Sequence, residues 1–269
     1  MSLITGAGRS GLDPVGKWSL ILAPILFIVG GIMTAPFGSY HMGLVQDIAE
    51  AGDTAKLGLT IGIIGVALYA RAILGLTRIT PEAGNAQARM RVASAGVIAL
   101  LAILTIQTGM AIGIAGAGLE GIATSGGGAF LGVQTAATIV ALLTVIPLAG
   151  GLAAGGLVSK YFGWVLLAVA VVGLIVTIGI GLDTETGGLV NSILQAIWGI
   201  VILVIGIIMI NGDGDGDGDG DEYGTIHYLV YVIAITIGSG IYCDATMSER
   251  SSNSLSHWEI DSRTWIHAS

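Results

Sequence analysis

RAILGLTRITPEAGNAQARMR, residues 71–91, holds Arg71, Arg78, Arg89 and Arg91, four of the ten Lys and Arg residues in the chain. Long apolar runs flank it on both sides. Lys and Arg close to the ends of membrane spans hold a short loop on the cytoplasmic side. With this loop set inside, the side of every other loop follows from counting spans.

Composition supports the membrane class. Of the 269 residues, 54% are hydrophobic and 10% are charged, and the mean hydropathy is +0.87. A water-soluble chain of this length needs a charged surface that these residues cannot supply. The expected fold is an all-α integral membrane protein: a bundle of six transmembrane helices, with a short seventh apolar run after an acidic Gly-Asp linker. Glycine is abundant, at 44 residues, and most of it lies in or beside the apolar runs, where it lets backbones approach closely. The single cysteine, Cys243, excludes an internal disulfide framework. The net charge of −8 comes without a basic patch, which argues against a nucleic-acid partner.

Residues 1–17 form a short polar lead with Arg9 and Lys17. A first span is expected from Trp18 to about Pro36, uncleaved because it is longer than a signal-peptide core and has no clear cleavage site. A loop over 37–56 carries Asp47, Glu50, Asp53 and Lys56. Further spans are expected over 57–77, 92–114, 129–154, 162–182 and 188–210, each near the roughly 20 residues needed to cross the hydrocarbon core. Arg71 falls in the last turns of the second span, where its long side chain can reach the interface. The six-helix domain thus covers residues 18–210. With the arginine loop inside, the lead and the Lys160 turn are also inside, and the loops with Asp47, Glu120 and Asp183 are outside. Every Lys and Arg before residue 210 except Lys56 then lies on one side. The expected location is the cell membrane, with a cytoplasmic N-terminus.

After residue 210 the composition changes. Residues 211–224 are an acidic Gly-Asp linker, 225–243 a short apolar run of marginal spanning length, and 244–269 a polar tail expected to be disordered. An alternative is that the repeat marks a slip in the coding sequence. NGDGDGDGDGDE resembles a calcium-binding EF-hand loop, with Asn211, Asp213, Asp215, Asp217, Asp219 and Glu222 at ligand positions and Gly216 at the turn. It departs from the pattern at its first position, which is Asn, and at its eighth, Gly218. A perfect Gly-Asp repeat meets much of that pattern by composition alone, so a flexible linker is the expected reading, with weak Ca²⁺ binding as the alternative. No other cofactor is expected.

Two matches to G-x-G-x-x-G, at Gly6–Gly11 and Gly116–Gly121, lack the strand and helix context of a dinucleotide site. The first six spans contain no Asp, Glu or His at depth, the groups that ion-coupled pumps use. Four amides do lie in spans: Gln107, Gln134, Asn191 and Gln195. They could line a polar path for a small neutral solute, or simply bond between helices at roughly 1 kcal/mol each. Gly58/Gly62, Gly109/Gly113 and Gly151/Gly155 have the spacing of close helix crossings. With no catalytic constellation, the expected role is non-catalytic, structural or accessory, with lipid, a second copy or another membrane protein as partner. The alternative is a small-solute or ion transporter or channel lined by the amides.

Overall fold

The computed structural model describes residues 12–35, 41–81, 84–122, 126–182 and 184–211. Among these residues every element is an α-helix: α1 (Pro14–Thr34), α2 (His41–Ala51), α3 (Asp53–Ile79), α4 (Asn85–Ile122), α5 (Gly126–Gly155), α6 (Lys160–Gly179) and α7 (Glu185–Asn211). All but α2 contain a stretch long and apolar enough to cross a membrane. The chain is therefore a multi-pass α-helical membrane protein. The linker at 212–224, the apolar run at 225–243 and the tail lie outside the described residues.

Local chemistry sets the helix ends. Asp13 caps α1, its Oδ1 accepting from Gly16 N–H at 3.1 Å, and Pro14 opens the first turn with a preset φ. Pro81 pushes the residue before it out of the helical region, and Thr80 ends α3 in an extended conformation, with ψ 134°. Thr184 caps α7 by accepting from Gly187 N–H at 3.0 Å. Near its end, α4 bends at Gly118, whose φ of 62° suits a residue without a Cβ.

The spans pack in chain order, α1 on α3, α3 on α4, α4 on α5, α5 on α6 and α6 on α7, and α7 closes the ring against α1. One apolar core draws on all six, with Leu20, Ile73, Leu76, Met90, Leu148, Leu166 and Ile205 fully enclosed. The outer surface is equally apolar: Ile178 is 74% exposed and Ile32 69%. In water such a surface would drive aggregation, whereas in lipid it is the required one. Trp18, Tyr161 and Trp164 are exposed at the end that carries the arginines, where aromatic rings meet the lipid headgroups.

Two expectations change. The segment 37–56 is not simply a loop: it contains α2, and α3 begins at Asp53. Leu44, Val45, Ile48 and Ala49 form one apolar face of α2, packed on Ala111, Ile114, Ala115 and Phe130. Its acidic residues and short length made it read as a loop, because it is too short to span. The spanning helices also begin before the expected limits, so Arg89 and Arg91 lie on the first turns of α4 and not in a loop.

Glycine governs the α1–α3 crossing. A Cβ on Gly30 would sit 2.5 Å from Gly58 O and 2.6 Å from Gly62 N, and one on Gly58 would sit 2.7 Å from Gly30 O. Of the three glycine spacings, Gly58/Gly62 meets Gly30, and Gly151 meets Met90 across α4–α5. Gly109 and Gly113 face open space outside the bundle.

Candidate functional site

The residues at the arginine end make several separate contacts. Arg71 lies eight residues before the end of α3, roughly 12 Å along the axis. Its guanidinium passes over Gly75, one turn nearer that end. There it pairs with Asp13, so one carboxylate caps α1 and also holds Arg71. Both partners are partly exposed, and the pair contributes at most about 1 kcal/mol. Arg89 on α4 donates to the carbonyl of Gly150 on α5 at 3.2 Å. Lys160 stands over the ring of Tyr161 at 5.9 Å. The opposite end carries Asp47, Glu50 and the Lys56–Asp53 pair at 2.8 Å.

The four span amides do not converge on one place. Asn191 and Gln195 line a cavity of about 20 Å³ between α5, α6 and α7, together with Thr138, Ala141, Leu142, Val169, Leu194 and Trp198. Gln107 and Gln134 are not on its lining. Gln107 Oε1 is buried without a hydrogen-bond partner. Contacts that set Met90 against Gly151 and Gly96 against Thr144 fix the antiparallel register of α4 and α5. Continued outward, that register brings Gln107 level with Val133 and Gln134.

Two residues at the centre were not singled out from the sequence. Trp198 Nε1 donates to Tyr69 Oη at 3.1 Å, and the rings meet edge to face at 5.3 Å. This contact ties α7 to α3 behind α1. Its partners are 129 residues apart, so no local pattern indicates it. Thr138 carries no distinguishing signal in the sequence, whereas Asn191, Gln195 and Trp198 recur at the i, i+4, i+7 spacing of one helix face. Thr177 Oγ1 on α6 is buried without a partner. The register that sets Gly173 against Leu142 places it level with Thr138.

Asn211, the first residue of the calcium-loop resemblance, is the last residue of α7. Asp213, Asp215, Asp217, Asp219 and Glu222 lie outside the described residues.

Fold and site together define a ring of six apolar spans with an amphipathic helix packed at one end. No family model, curated protein or solved structure matches the chain.

Proposed function

We propose that the protein is a non-catalytic membrane protein that acts through its helix surfaces, as a structural or accessory component. The observation that carries this reading is the cavity beside Asn191 and Gln195. At about 20 Å³ it has room for one water, while Gln107 and Gln134 lie elsewhere. A solute path would need the amides to share a continuous opening, and the enclosed core and separated amides among the described residues favour a scaffold. The arginine-bearing ends then face the cytoplasm of a cell membrane, with the N-terminus inside and the Asp47 and Lys56 ends outside.

Gly109 and Gly113 provide the test. Because both face open space, leucine at either position leaves the bundle intact while roughening the α4 surface. Gly109→Leu or Gly113→Leu is expected to abolish co-purification of a second tagged copy or of a membrane partner, without lowering the unfolding midpoint. Solute uptake by reconstituted vesicles above that of protein-free vesicles, reduced by Asn191→Leu, would instead establish the transporter alternative.

A further inference from the structure

Most hydroxyls near the α5–α6–α7 junction share one habit, and the exceptions are Thr177 on α6 and Thr138 at the cavity. Thr135, Thr144 and Ser192 each donate to the carbonyl four residues back, at 3.1, 2.7 and 3.0 Å. This is how a hydroxyl in an apolar helix satisfies itself. Thr138, between two of them on α5, makes no such bond although it is only 8% exposed. Asn191 is 9% exposed, and neither it nor Gln195 has a side-chain hydrogen bond within the described residues. All three border the same cavity.

A buried amide or hydroxyl with no partner costs about 1–3 kcal/mol. Thr138 and Asn191 are largely enclosed and Gln195 partly so, and lipid offers none of the three a partner. A water needs about 10–15 Å³, which this cavity of about 20 Å³ provides, and it needs two to four polar partners. We infer that the cavity is a binding site for a single water molecule, held by Thr138, Asn191 and Gln195, which links α5 to α7. The hydroxyl supplies a donor or an acceptor, and each amide supplies both. The water thereby replaces the back-bond that Thr138 forgoes. It also lies against Trp198, whose indole is already committed to Tyr69.

Thr138→Val is the discriminating substitution, because it keeps the shape and removes the hydroxyl. If water bridges the three groups, the variant of the full chain in nanodiscs loses a hydrogen bond. Its unfolding midpoint is then expected to fall by about 2–4 °C, the shift of a 1 kcal/mol loss at this size. If the site is dry, the same change deletes an unpaired hydroxyl and the midpoint rises or stays. The second measurement is X-ray radiolytic labelling of the wild-type protein, in which a bound water generates hydroxyl radicals beside Trp198. Trp198 is expected to be oxidised, and several-fold more slowly in Thr138→Val/Asn191→Leu. An unchanged or raised midpoint overturns the inference, as does an inert wild-type Trp198. If the variants do not fold, the wild-type labelling decides alone.

Discussion

Gly30 and Gly62 show how far one residue's role depends on its neighbours. Gly30 lies against the backbone of α3, and neither atom nearest its missing Cβ can move aside as a side-chain tip would. Gly62 faces the same crossing, but a Cβ built on it would meet nothing within 4 Å. Gly30→Ala is expected to destabilise by about 1–3 kcal/mol through overpacking. Gly62→Ala is expected to be neutral or stabilising by up to about 1 kcal/mol, because alanine favours the helix. Reversible denaturation in mixed micelles reads both. Equal effects would show that the α1–α3 crossing is looser than its geometry indicates. The spacing Gly58/Gly62 was legible in the sequence, yet its partner Gly30 was not, since that depends on how α1 is turned. The polar residues behave alike. Asn191 and Gln195 stand out by chemistry, and only the fold shows that Thr138 joins them and that Gln107 does not.

At the scale of elements, α2 differs most from the spans. Its apolar face is short and its opposite face polar, with Gln46 donating to Glu50 at 2.7 Å. It is held by the cluster around Ile48, which is 1% exposed, and Phe130. An isolated helix of 11 residues is marginal, so tertiary packing must hold it. Ile48→Asp places an unpaired carboxylate in that cluster, and the least costly escape is for α2 to detach. Amide exchange is expected to accelerate across 41–51 and to remain slow across 92–110. Accelerated exchange throughout α4 would instead make α2 part of the bundle's cooperative unit. The spans themselves were legible because apolar length is a local property. The helix α2 was not, because an amphipathic stretch in an acidic segment reads equally well as a solvated loop.

At the scale of the whole molecule, the ring order puts Asp13, Arg71, Arg89 and Lys160 at one end and Asp47, Glu50 and Lys56 at the other. This polarity predicts sidedness. In a Cys243→Ser background, Asn85→Cys is expected to resist an impermeant thiol reagent applied outside intact cells and to react in inverted vesicles. Gly43→Cys, on the exposed face of α2, is expected to do the opposite. Labelling of Asn85→Cys from outside would invert the assignment for every helix at once, because the ring fixes their relative directions.

The sequence by itself determined the membrane class and the six spans, and it holds the charge pattern from which a side is proposed for each loop. Those properties follow from local sums of transfer free energy and from charges at the span ends. Only the tertiary structure decided how each helix is rotated about its own axis. That rotation selects Gly30 and leaves Gly109 open, joins Arg71 to Asp13 and Trp198 to Tyr69, and gathers Thr138, Asn191 and Gln195 around one cavity. The reason is physical. When lipid and bundle interior are both apolar, hydrophobicity hardly distinguishes one face of a helix from another. Rotation is then set by close packing and hydrogen bonds between residues far apart in the chain.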